Sequence, residues 1–166
     1  MGTHTSPIPS NETERIKCLQ SYRILDTAPD LRFDRIAQLA ADLTNVPIAM
    51  ISLVDETRQW FKARVGLDVT QTEREISFCA HAIMGEDILQ VGDATQDPRF
   101  QSSPLVLCEP NIRFYAGAPL KTKEGHQLGT LCVIDQKPRR LSDKQIRILN
   151  TLASIVLDEL ELHRSI

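Results

Sequence analysis

Several things are missing from this chain of 166 residues, and each absence closes off a class of protein. No apolar run approaches the roughly 20 residues that a membrane-spanning helix requires. The N-terminus lacks the charged-then-apolar pattern of a secretory signal. Cys18, Cys79, Cys108 and Cys132 are widely separated and include no C-x-x-C pair, so reduced thiols in a cytoplasmic protein are expected. There is no G-x-x-x-x-G-K, H-E-x-x-H or G-x-S-x-G motif. Nor is there a basic excess: the formal charge is -3, and the Lys and Arg residues are dispersed, which argues against nucleic acid as a partner. The single basic run, Lys137-Pro138-Arg139-Arg140, reads as a solvated turn.

What the chain does have is 42% hydrophobic residues, enough for one domain with a real core. Residues 1–10, with Gly2, Pro7 and Pro9, read as a flexible leader, and 11–166 as a single domain. Helical spacing appears from Asn11 to about Arg23. A second helix follows Asp26, with Thr27 as its cap, Pro29 in its first turn and Ile36, Leu39, Ala40 and Leu43 as its apolar stripe. Asn45 and Pro47 end it. Ile48 to Asp55 is a central strand, and Arg58 to Val65 alternates, placing Trp60 and Phe61 on opposite faces.

Gly66 to Glu75 reads as turn. Ser77 then caps a short helix, Ile88 to Val91 is a short strand, and Asp93 to Asn111 is loop with at most a turn of helix. From Ile112 to Leu120 apolar and polar residues alternate, Glu124-Gly125 supplies a tight turn, and Leu128 to Ile134 is almost continuously apolar, so the two form an antiparallel hairpin in mid-sheet. The last helix is marked by Ser142 and Gln145 in capping-box spacing and by Leu141 and Ile146 in staple positions. Leu149, Leu152, Ala153, Val156 and Leu160 form one stripe on it, and Ile148, Ile155 and Leu162 a second. The second needs its own cover, which the N-terminal helix and a second copy of the chain would supply.

Three groups of residues carry chemistry. Cys79, near a helix start, would feel the dipole that lowers a thiol pKa. His81, two residues on, points about 200° away, so the two make no ready metal pair; alternatively Phe78, Cys79 and Ile83 pack under the sheet while His81 bonds a loop carbonyl. Cys108 lies in the loop before the hairpin. Arg113 and Tyr115 share a strand face and could meet an anionic or aromatic ligand, unless Arg113 pairs with Asp93 or Asp97 to lock the loop. Cys18 and Cys132 read as packing residues.

This order of elements gives an α+β fold, an antiparallel sheet of five to six strands with helices on both faces and the N- and C-terminal helices together on one of them. The chain resembles a GAF domain in Ile24 to Thr27, Phe33-Asp34, Pro47 to Asp55, Arg58 to Lys62, Ser77 to Ile83, Asp97 to Phe100, Ile112 to Leu120 and Leu128 to Asp135. It is most similar to the bacterial GAF domains that precede histidine kinase, diguanylate cyclase or phosphodiesterase modules. The resemblance implies a sensory domain with a small-molecule pocket on one side of the sheet and a dimer through the terminal helices on the other, without naming a ligand or cofactor. Cys108 is followed by Glu109 and not by the His usual beside a bilin-bearing cysteine. A second resemblance, to the free methionine-R-sulfoxide reductases, implies Cys108 as nucleophile, since it stands twelve residues before Leu120, with Cys79 as the resolving thiol and Asp135 near the substrate. There the chain departs from the pattern, with no cysteine close after Cys79 and Tyr115 where an acidic residue would stand. The implied ligand-contacting set is Phe78, Cys79, His81, Asp93, Asp97, Cys108, Arg113, Tyr115 and Asp135.

Overall fold

Two strands without an exposed residue lie side by side in the middle of the sheet. They are β1 (Ile48–Val54) and β6 (Gln127–Asp135), antiparallel, with Ile51 opposite Leu131 and Leu53 opposite Gly129. Their near-continuous apolar sequence follows from being covered on both faces, which leaves no side for polar groups. On one flank β2 (Arg58–Val65) and β3 (Gln71–Glu73) extend the sheet, and on the other β5 (Phe114–Lys121) and β4 (Leu89–Val91) do so. The order is β3-β2-β1-β6-β5-β4, antiparallel throughout. This is the α+β architecture that the sequence implies. The computed structural model describes residues 6–165, so the first five residues of the expected flexible leader, and Ile166, lie outside the described residues.

Three helices cover one face: α1 (Glu12–Ser21), α2 (Leu31–Thr44) and α5 (Asp143–Arg164). The other face carries α3 (Cys79–Ala82), α4 (Pro104–Leu107) and the irregular segments around them. β5 and β6 make the expected hairpin, with Gly125 at φ +92 in its turn. At α5 the capping box is complete: Ser142 Oγ accepts from the Gln145 amide at 3.1 Å, and Gln145 Oε1 accepts from the Ser142 amide at 2.9 Å. Its first stripe, Leu149 to Leu160, is buried against the sheet. The terminal helices meet there. The Tyr22 hydroxyl donates to Glu161, and the Arg164 guanidinium lies 4.2 Å from the Tyr22 ring centre.

Two expectations need correction. α2 begins at Leu31 and is capped by Asp30, whose Oδ1 accepts from the Arg32 amide at 2.9 Å, because the Thr27 hydroxyl is engaged with Ile24 O and Lys62 Nζ. Its buried side is Phe33, Ile36, Ala37, Ala40 and Ala41, whereas Leu39 and Leu43 are 48% and 46% exposed. The alanine face lets α2 lie close on β1 and β2, and that turns the leucines outward. The other correction is β3, a strand within the stretch read as turn; three residues are too few to show an alternation.

A buried charge cluster ties α1 to the β1–β2 turn. Arg15 is fully buried, with Nη1 donating to Val54 O at 2.7 Å, and Glu12 accepts from both Arg15 and Arg74. Burial alone would push the Glu12 carboxyl up, but the hydrogen bonds and charges of the two arginines outweigh it and hold it at about 2.

Candidate functional site

Alternation along β5 and β6 sends Tyr115, Cys132 and Ile134 to the face away from the three long helices. α3 sits over them. Ser77 Oγ accepts from the Ala80 amide at 3.1 Å, which fixes the first turn as the sequence predicts. That turn delivers Cys79 Sγ to 3.0 Å from Thr130 Oγ1 and 3.1 Å from Tyr115 Oη. The Tyr115 ring reaches this position by lying across Gly117, where a Cβ would stand 2.2 Å from its hydroxyl oxygen.

Around the sulfur the polar groups converge. Burial opposes ionisation of Cys79, but the polar groups of Cys132, Ser52, Thr130 and Tyr115 beside it outweigh that and bring its thiol below the usual range. The neighbouring Cys79 and burial raise the Cys132 thiol, and burial beside Cys79 raises the Tyr115 phenol. Aromatic rings close the site from above. Phe78 stacks on Phe100 at 4.0 Å between centroids and leans on Tyr115 at 5.0 Å, and His81 meets the Phe100 edge at 4.8 Å. What is left beneath them is a cavity of about 20 Å³ that touches Phe61, Phe78, Cys79, Tyr115 and Cys132. Ligand pockets usually hold about 300–1,000 Å³. The side chains themselves fill this one.

Of the expected site residues, then, Phe78, Cys79 and Tyr115 come together, with His81 beside them. Among the described residues His81 bonds no loop carbonyl; its ring packs on Phe100, and burial, aided by Arg99, lowers its pKa. The other five are placed elsewhere. Arg113 pairs with neither aspartate: its Nη1 donates to Val106 O at 2.9 Å and Ile112 O at 3.1 Å, so it holds the end of α4. Asp93 accepts from Thr95, and Asp97 from Arg99, each closing its own turn. Asp135 lies opposite Phe114, on the helix-covered face, and faces Arg139 at 2.6 Å. Arg139 is therefore a structural partner more than a solvated turn residue. Cys108 is exposed at the end of α4 and does not line the cavity that Cys79 lines.

Cys132 packs in the apolar cluster as its sequence context suggests and also borders the cavity beside Cys79, while Phe100 and Thr130 carry no site signal of their own in the sequence. Period two along β6 places Thr130, Cys132 and Ile134 on one face, which is the signal that could have found two of them. A larger groove, about 580 Å³, lies beside β2 between Asp26, Lys62 and Asp68, but Lys62 Nζ already donates to Thr27 Oγ1 and Ala28 O. Among the described residues no three His, Cys, Asp or Glu side chains gather as a metal site.

Three comparisons place the chain among known proteins. The family model described as GAF domain matches residues 28–157. A cyclic di-GMP phosphodiesterase of Pseudomonas aeruginosa is 45% identical over 162 residues, which is 97% of this chain and 28% of that protein. The chain thus spans less than a third of that relative. Among solved structures, the GAF domain of a Coxiella burnetii phosphoenolpyruvate-protein phosphotransferase superposes with a TM-score of 0.68 at 17% identity, covering 94% of this chain and 98% of that one. Free methionine-R-sulfoxide reductase from Neisseria meningitidis superposes with a TM-score of 0.66 at 17% identity, covering 98% and 99%. At such identity the structural likenesses speak for the fold alone, and together with the match over most of its length they identify the chain as a member of the GAF domain family.

Proposed function

We propose that this chain is a regulatory GAF domain of a larger signalling protein that acts in cyclic di-GMP turnover, and that it transmits its state through a dimer of its terminal helices. The observation that carries the reading is the 45% identity along 97% of the chain to a cyclic di-GMP phosphodiesterase, of which it matches 28%. The rest of such a protein would hold the phosphodiesterase, cyclase or kinase modules downstream. The dimer is supported by the second stripe of α5, where Ile155 and Leu162 are 39% and 51% exposed in the single chain.

Sedimentation velocity across micromolar concentrations tests the dimer. A concentration-dependent dimer that Ile155→Asp with Leu162→Asp converts to monomer supports it; a monomer at every concentration counts decisively against it. The regulatory reading is tested by grafting the chain in place of the matching stretch of the Pseudomonas relative, where hydrolysis of cyclic di-GMP should remain close to that of the parent.

In this closed arrangement the domain works without a metabolite-sized ligand, because Phe78, Phe100 and Tyr115 occupy the space beside the sheet. Small-molecule binding is the second reading. The hydroxyls and thiols gathered at Cys79 favour it, since they would meet a small polar ligand once Phe78 swung aside. Heat released on titrating candidate metabolites, absent in Tyr115→Phe, separates it from the first. A reductase reading needs Cys108 and Cys79 at one substrate, and the exposure of one and burial of the other weigh against it. Turnover of free methionine sulfoxide lost in Cys108→Ser would reinstate it.

A further inference from the structure

Neither regulation through helices nor ligand binding explains why two free, buried thiols border one small cavity inside the domain. Cys79 and Cys132 are 1% and 0% exposed and border the same cavity of about 20 Å³, and Cys132 shares its strand face with Thr130, whose hydroxyl lies 3.0 Å from the Cys79 sulfur. An inert packing pair would be surrounded by aliphatic groups. Here, within an otherwise apolar cluster, two hydroxyls meet the Cys79 sulfur, Thr130 Oγ1 at 3.0 Å and Tyr115 Oη at 3.1 Å.

We propose that Cys79 and Cys132 are an oxidisable dithiol, converted to an intramolecular disulfide by hydrogen peroxide or another small hydroperoxide. Size selects the oxidant. A cavity needs about 10–15 Å³ to take a water molecule, so the space beside the two sulfurs admits a molecule little larger than water and excludes glutathione or a protein thiol. The chemistry is a two-electron exchange in two steps. Cys79, having lost its proton to solvent, attacks one peroxide oxygen; an S–O bond forms, the O–O bond breaks, and the departing hydroxide takes up a proton to leave as water. The Cys132 sulfur then attacks the Cys79 sulfur, the S–S bond forms, the S–O bond breaks, and the Cys132 proton leaves with that oxygen as a second water. Two thiols are oxidised and one peroxide is reduced. The convergent donors favour the thiolate that begins the sequence, and the Tyr115 and Thr130 hydroxyls lie where the incoming and leaving oxygens would need partners. Drawing the sulfurs to the roughly 2.05 Å of a disulfide pulls α3 toward β6. The reaction needs only this chain and stands apart from whatever the domain regulates.

The test uses the full chain carrying Cys18→Ser and Cys108→Ser, so that only the buried pair can react. Hydrogen peroxide, followed by denaturation and alkylation, should give a mass lower by two hydrogens with no alkylatable thiol, reversed by dithiothreitol, at a rate independent of protein concentration. Adding Cys132→Ser should stop the reaction at one added oxygen, trapped by dimedone on Cys79. If that background does not fold, peptide mapping of the oxidised wild-type chain reads the same Cys79–Cys132 link. Both thiols still alkylatable after peroxide, disulfide only between molecules, or oxygen added to Cys79 without a disulfide would each overturn the proposal.

Discussion

On the face that α1, α2 and α5 cover, the sheet presents aliphatic side chains such as Ala49, Ile51, Ala116, Leu131 and Val133, and the helices answer with Ala37, Leu149 and Val156. On the opposite face it presents Met50, Phe61, Tyr115 and Cys132 to two four-residue helices and the aromatic pair Phe78 and Phe100. The first face joins long elements from both ends of the chain and is filled by apolar side chains, with Lys62 and Asp135 buried where they meet Thr27 and Arg139. In the second, a thiol, a phenol and a hydroxyl satisfy one another under a cover held by short-range bonds such as Arg113 to Val106 O. Apolar burial at about 25 cal/mol per Å² accumulates on the first face. The second holds fewer long elements, and its satisfied polar groups are where chemistry can be switched.

Two glycines measure the difference, and they give the largest expected effects. At Gly129 a Cβ would stand 1.8 Å from Ser52 O and 2.8 Å from Leu53 Cα, both backbone atoms of the neighbouring central strand. Nothing there can move without parting β1 from β6, so Gly129→Ala should cost more than about 4 kcal/mol or prevent folding, measured by urea unfolding. At Gly117 the obstacle is the end of the Tyr115 side chain, which can shift at the loss of its bond to Cys79. Gly117→Ala should then cost about 1–3 kcal/mol and leave the helix-covered face intact. Equal losses at the two positions would erase the contrast between a rigid centre and a yielding cover.

The seam at α1 comes next. Glu12→Gln leaves the buried Arg15 and Arg74 without their carboxylate and should cost about 3 kcal/mol at neutral pH. Because the folded-state pKa of Glu12 is depressed from 4.5 to about 2, its contribution is fully present above the first value and drains away as pH falls toward the second. Unfolding followed from neutral to acid should therefore steepen in that window for the native chain and flatten in Glu12→Gln. An unchanged acid limb would show that the arginines find other partners.

Much of this was legible in advance because periodicity and capping are local. The hairpin and the Ser142–Gln145 box are written in adjacent residues, and both appear, with the first strand of the hairpin starting at Phe114 and not at Ile112. The side on which α2 packs was not, since Leu39 and Leu43 outrank Ala37 and Ala41 in hydrophobicity and only close approach to the sheet favours the smaller residues. The site was half legible. Phe78, Cys79 and Tyr115 announce themselves by type and strand face, but the pairing of Cys79 with Cys132 joins positions 53 residues apart and depends on α3 crossing β6. Arg113, Asp93 and Asp97 carry the charge that suits a pocket, but the two aspartates satisfy groups two residues on and Arg113 a carbonyl seven residues back, as short loops require.

The smallest expected effect separates the two cysteines that sequence reasoning set side by side. Cys108 lies at the end of α4, where its amide donates to Pro104 O at 2.9 Å and its carbonyl accepts from the Asn111 amide at 2.7 Å. Both bonds are backbone bonds, and the side chain is exposed, so Cys108→Ser changes nothing the fold uses and should alter stability by less than about 0.5 kcal/mol. The same change at Cys79 swaps a large sulfur for a shorter hydroxyl in a closed site, stretching its contacts to Tyr115 and Thr130 and enlarging the space beneath Phe78. About 1–2 kcal/mol should be lost there. Thermal unfolding of the two variants side by side decides whether the cover senses its buried sulfur: a Cys79→Ser midpoint as high as that of Cys108→Ser would mean that the hydroxyls around Cys79 are satisfied without it.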